Sequence, residues 1–127
     1  MQKQINAVKD FHTTFMIDYS IYPVANIGDN KHELRYNLMK EENEEYLEAT
    51  QNGDLVEIAD ALGDMLYILC GTIIEHGLQD KIEAVFDEIQ RSNMSKLDQD
   101  GKPIYRQDGK VMKGTNYSKP DFSKILK

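Results

Sequence analysis

The segment Leu55–Ile74, LVEIADALGDMLYILCGTII, limits the possible folds more than any other. It is apolar enough for a core element, yet it carries Glu57, Asp60 and Asp64 and no Lys or Arg. Buried carboxylates without partners cost several kcal/mol even after relaxation. On a helix the three acids fall within about 60° of arc, with apolar residues on most of the remaining circumference. A helix that is hydrophobic nearly all round is buried, so this acid stripe is expected to face something inside the fold.

The flanking sequence predicts helices on both sides. Ile5–Met16 carries Ile5, Val8, Phe11, Phe15 and Met16 at a helical period. Tyr19–Asn30, with Pro23 and Gly28, reads as a loop in which Asp29 or Asn30 can cap the next helix. Lys31–Asn52 has no Gly or Pro and is rich in Glu, Leu, Lys and Met, so it predicts a long helix ended by Gly53. Asp54 is placed to cap a third helix reaching His76, closed by Gly77, and Gln79–Met94 predicts a fourth, with Ile82, Val85, Phe86 and Ile89 on one stripe. The aromatics Phe11, Phe15, Tyr36 and Tyr46 are expected in the core. His32 and His76 read as helix-end residues. The fold class is all-α: an antiparallel four-helix bundle over residues 1–97, then a basic extended or hairpin arm over 98–127. In that arm, Asp-Gly between Ile104-Tyr105 and Val111-Met112 predicts a small hairpin. With 127 residues the whole is a single domain.

Charge excludes some functions. Residues 1–90 hold 6 Lys and Arg against 18 Asp and Glu, a balance of −12, whereas residues 91–127 hold 9 against 4, a balance of +5. An acidic body is unsuited to a nucleic acid polymer, which needs a positive face, and suits a site that collects divalent cations, with a basic arm to meet an anion. The single cysteine, Cys70, allows no internal disulfide and points to a reducing compartment. Without a leader pattern or a membrane span, a cytoplasmic location is expected.

The helix from Lys31 has acids on its apolar face as well. Leu34, Leu38, Glu42, Glu45 and Ala49 follow steps of four, four, three and four and form one stripe. Paired carboxylates from two antiparallel helices converge on one point, and oxygen-only ligation of that kind suits Mg²⁺ or Mn²⁺. A solvated acidic groove is the competing reading. A di-iron bundle would need Glu-x-x-His pairs, and none of His12, His32 and His76 has a Glu three residues before it. A helical adaptor would explain amphipathic helices, but not acids on their apolar stripes.

EENEE (Glu41–Glu45) followed by EIAD (Glu57–Asp60) resembles the Glu-Glu-x-x-Glu … Glu-x-x-Asp signature of the all-α nucleoside triphosphate pyrophosphohydrolases, the MazG-like superfamily. ALGDMLYIL after the second half, VKDFH and LRYNLMKEE before the first, and RSNMSKL with DGKVMKGTNYSKPDF near the end extend the resemblance to small single-domain members over nearly the whole chain. The resemblance implies Mg²⁺-dependent hydrolysis of a (deoxy)nucleoside triphosphate to the monophosphate and pyrophosphate, a housecleaning of the nucleotide pool, with Mn²⁺ as a substitute ion. It implies Glu42, Glu45, Glu57 and Asp60 as metal ligands and Glu41 as the general base. Asp64 would bind a second ion, contact the sugar, or hydrogen-bond a neighbouring helix. Alternatives are a phosphoribosyl-ATP pyrophosphohydrolase activity in histidine biosynthesis, or a non-enzymatic regulator that binds metal or nucleotide.

The arm supplies the remaining expectations. Lys96 and Lys113 could meet phosphates, Asn93 sugar or phosphate, and Tyr117 could stack or hydrogen-bond. His12 either faces a base pocket or flanks Phe11. The third helix carries more apolar surface than four short helices cover, which predicts a homodimer or homotetramer.

Overall fold

Glycine and aspartate punctuation sets half of the helix ends. The computed structural model describes residues 1–127 as four helices: α1 (Gln2–Thr14), α2 (Asp29–Gln51), α3 (Leu55–Glu75) and α4 (Ile82–Met94). The fold is all-α, and its only β-pairing is an isolated bridge. After α2, Gly53 N–H bonds Thr50 O and Asp54 N–H bonds Ala49 O; after α3, Gly77 and Leu78 repeat the pattern on Ile74 O and Ile73 O. Both are Schellman endings with the expected glycine at positive φ. Asp54 caps α3, accepting from the Val56 and Glu57 amides at 3.0 and 3.1 Å.

Other boundaries depart from expectation. Neither Asp29 nor Asn30 caps α2. The Asn26 side chain accepts from the Gly28 amide, Gly28 becomes the cap at φ 101°, and Asp29 is the first helical residue, where its charge meets the helix dipole. α4 starts at Ile82 rather than Gln79, because the buried Gln79 donates to Ser20 O in the α1–α2 loop. α1 ends with the same Schellman bonds on Met16 and Ile17, but Met16 sits at φ 55° where a glycine is usual.

The chain forms two compact units, Met1–Asp80 and Lys81–Lys127. In the first, α3 packs on both α2 and α1, and its core of Ile5, Val8, Ala49, Ala61, Cys70, Ile73 and Ile74 gathers toward the C-terminal half of α3. One face of α3 is bare: Leu55 and Val56 are three-quarters exposed, and Leu62, Leu66 and Leu69 are also exposed. Expected burial of the whole helix is thus corrected, since only two helices of this unit lie against it. Phe11, Phe15, Tyr36 and Tyr46 are exposed instead of buried, as is Leu34. No helix is long and apolar enough to cross a membrane.

In the second unit the arm runs back along α4. Gly114 N–H bonds Lys96 O, Ser118 N–H bonds Ser95 Oγ, Arg91 bonds Lys119 O, and Asp121 N–H bonds Glu88. Arg91 forks onto Glu88 at 2.8 Å, and this fork, helped by the Asp121 amide, holds the Glu88 carboxyl down at about 2. The expected hairpin pairs Tyr105 with Val111 across the Asp108-Gly109 turn.

Candidate functional site

The three-residue link Asn52–Asp54 makes α2 and α3 antiparallel neighbours, so their acid stripes meet along one seam. A cavity of about 500 Å³ opens at the link end, lined by Glu45, Glu48, Ala49 and Asn52 from α2 and by Glu57 and Asp60 from α3. One turn further along, Glu42 lies within hydrogen-bonding reach of Glu45 and in the field of Asp64 and Asp60. Partial burial, then Glu45, then the other two charges push the Glu42 carboxyl up to about 7. Its Oε2 is buried with no hydrogen-bond partner. No Lys, Arg or His pairs with any of these acids. Glu42, Glu45, Glu57, Asp60 and Asp64 are therefore brought together, whereas Glu41 is exposed on α2 outside the cavity wall. Glu48 and Asn52 are additions; the steps of three from Glu45 to Glu48 and of four from Glu48 to Asn52 were the signal that could have found them.

The donor set fits a hard divalent cation. It offers carboxylate oxygens only, and one buried oxygen lacks a partner. The side chains do not form a closed ligand shell, since no group of three His, Cys, Asp or Glu is arranged to hold an ion. The fit rests on donor chemistry and on the orphaned oxygen.

In the second unit, Asn93, Lys96, Lys113 and Tyr117 gather at the C-terminal end of α4. Lys96 N–H bonds Asn93 O, Lys96 O accepts from Gly114 beside Lys113, and the Lys113 ammonium lies 4.7 Å from the Tyr117 ring centroid.

Two residues of the first unit stand outside the pattern expected from sequence. Arg35 lies where Leu34 was expected, one turn before Leu38 on the face toward α3. It bonds Thr72 Oγ1 at 3.0 Å, Ile68 O at 2.8 Å and Glu75 Oε2 at 2.9 Å. Glu75, 3% exposed, also meets His12 Nε2 at 3.3 Å and Lys31 at 3.7 Å. His12 both flanks Phe11, in an edge contact, and is buried against Glu75. His32 and His76 are helix-end residues, as expected, and stack on each other. Between the Arg35 cluster and the carboxylates lies an apolar slot of about 190 Å³ walled by Val8, Phe11, Leu38, Tyr67 and Ile68, with His12 and Arg35 at its edge.

Comparison with known proteins matches residues 8–93 to the family model described as Phosphoribosyl-ATP pyrophosphohydrolase. That span contains α2, α3 and the acid seam, with the second half of α1. No curated protein matches the chain.

Proposed function

The chain belongs to the phosphoribosyl-ATP pyrophosphohydrolase family, a family of nucleotide pyrophosphohydrolases, and from that premise we propose a substrate and a site. The substrate is a (deoxy)nucleoside triphosphate, cleaved between the α and β phosphates to the monophosphate and pyrophosphate. Glu42, Glu45, Glu57 and Asp60 would hold Mg²⁺, or Mn²⁺ in its place. When bound, the ion neutralises phosphate charge and lowers the pKa of water. The observation that carries this reading is the orphaned Glu42 oxygen amid carboxylates with no cationic partner.

The chain's own residues supply the rest. Glu41, solvent-exposed beside the cluster, takes the proton of the attacking water. Asp64 contacts the sugar or a second ion. The slot walled by Phe11, Leu38 and Tyr67 begins one turn from Glu42 and from Asp64, a spacing suited to a base whose phosphates reach the acids. Asn93, Lys96, Lys113 and Tyr117 are proposed as substrate contacts, the lysines by their charge and Asn93 and Tyr117 by hydrogen bonding or stacking. The bare face of α3 is covered by a second copy, in a dimer or a tetramer of dimers.

Phosphoribosyl-ATP is the second reading, favoured by the family match itself. Against it, Arg35 and His12 at the slot are already committed to Glu75, which leaves no cation there for an additional phosphate. Pyrophosphate release, with product identification, is the test: canonical dNTPs, NTPs, dUTP and phosphoribosyl-ATP, each with Mg²⁺, Mn²⁺ or EDTA. Metal-dependent turnover of a plain triphosphate supports the first reading, and turnover of phosphoribosyl-ATP alone replaces it with the second.

A further inference from the structure

The α2/α3 seam has two polar ends of opposite design. At the link end are carboxylates that repel one another. Two turns, about 10 Å, along α2 from Glu42 lies Arg35. Arg35 is the one cation that α2 directs onto the backbone of α3, and each arm of its guanidinium has a directional partner there: Glu75 Oε2, Thr72 Oγ1 and Ile68 O. Gly71 makes room, since a Cβ on it would stand 2.5 Å from Arg35 Nη2 and 3.1 Å from the His12 ring. Between the two ends the seam is apolar, and apolar packing alone tolerates slippage better than two directional hydrogen bonds and an ion pair do.

We propose that Arg35, locked by Glu75, Thr72 and the Ile68 carbonyl, is a positioning residue. It fixes the axial register of α2 against α3 so that Glu42 and Glu45 stand opposite Asp64 and Asp60. Acids that repel each other cannot set that register themselves. A slip of one residue moves α2 by about 1.5 Å along the seam, enough to spoil a cation site built from both helices. This inference rests on the metal reading of the acid seam.

The test uses the full chain and Mn²⁺ alone, without nucleotide, its binding followed by electron paramagnetic resonance. Wild-type protein, Arg35→Met, Arg35→Lys and Thr72→Val are compared at a temperature where circular dichroism shows each to be folded. Arg35→Met should weaken Mn²⁺ binding by up to roughly 10-fold, the low end of what losing a group bonded directly to a ligand costs, because Arg35 acts through the register and not on a ligand, and raise the Mg²⁺ concentration for half-maximal pyrophosphate release in parallel. Arg35→Lys keeps the charge but not the fork, so it should fall between Met and wild type. Thr72→Val removes one of the two hydrogen bonds and should give a smaller loss in the same direction, which keeps the test open if Arg35→Met does not fold. Variants that melt earlier yet bind Mn²⁺ as wild type does would overturn the positioning role and leave the site reading standing. A wild type that neither binds Mn²⁺ nor releases pyrophosphate would overturn both.

Discussion

Within one pair of antiparallel helices, the Glu75 end and the Glu42 end treat buried carboxylate in opposite ways. Glu75 is nearly inaccessible and is met by Arg35, Lys31 and His12. Glu42 is less buried and meets only other acids, and its Oε2 meets nothing. The first end satisfies its polar groups from within the fold; the second does so only with something from outside. A folding argument accounts for Glu75, but it makes Glu42, Glu45, Asp60 and Asp64 together a defect. That asymmetry is what marks a site, and substitutions at either end can test it.

The largest effect is expected at the open end. Asp60→Asn keeps the shape of the side chain and removes its charge, so pyrophosphate release should fall to background while the far-UV circular dichroism spectrum is unchanged. Full activity in that variant would remove Asp60 from the ligand set. At the closed end the order reverses: Glu75→Ala leaves the largely buried Arg35 without its counter-charge and His12 without its hydrogen-bond partner. Breaking such a pair costs about 3–5 kcal/mol, read as a shift of the urea midpoint at unchanged m-value. A loss under about 1 kcal/mol would mean that water replaces Glu75 freely and that the two ends are less different than their geometry.

A third prediction uses pH. In the metal-free fold Glu42 holds its proton up to about 7, against 4.5 for an ordinary carboxyl. A raised acid favours the fold while protonated: the contribution is fully present below about 4.5 and is lost as pH rises through about 7. Metal-free protein should therefore lose stability across that window, by on the order of 1 kcal/mol once solvent screening is allowed for. Glu42→Gln should flatten the slope and be the more stable protein above pH 7, and Mg²⁺ should reverse the slope in wild type. A slope that survives Glu42→Gln would assign it to another group.

The open end was legible in the sequence and the closed end was not, for a physical reason. Acids on an apolar stripe contradict the pattern around them, so spacing alone exposes Glu42, Glu45, Glu57 and Asp60. Arg35 and Glu75 contradict nothing: an arginine beside a leucine and a glutamate in the last turn of a helix both read as solvent-facing, and only the three-dimensional pairing buries them. The same limit explains Leu34, which fits the stripe by number but lies at its exposed edge while Arg35 takes the inner place. The exposed Phe11 and Tyr67 form a slot wall through an edge contact between α1 and α3, which no pattern along a single helix encodes.

The smallest effect is a control beside the closed end. α1 ends immediately after His12 and its neighbours: Ile17 N–H bonds His12 O, and Met16, in the left-handed position of that ending, stands at φ 55° and is 89% exposed. A side chain with a Cβ in that conformation costs about 1–2 kcal/mol, partly balanced by the backbone entropy that glycine loses on folding, about 0.5–1 kcal/mol. Met16→Gly should therefore raise stability by a few tenths to about 1 kcal/mol, with the Glu42 pH slope and metal binding unaltered. This gain would be local to the end of α1, because the exposed Met16 side chain contributes no core packing. If Met16→Gly instead destabilised the protein, the methionine side chain would have to be covered by a surface other than its own unit, and the bare face of α3 would be the first place to look for the same partner.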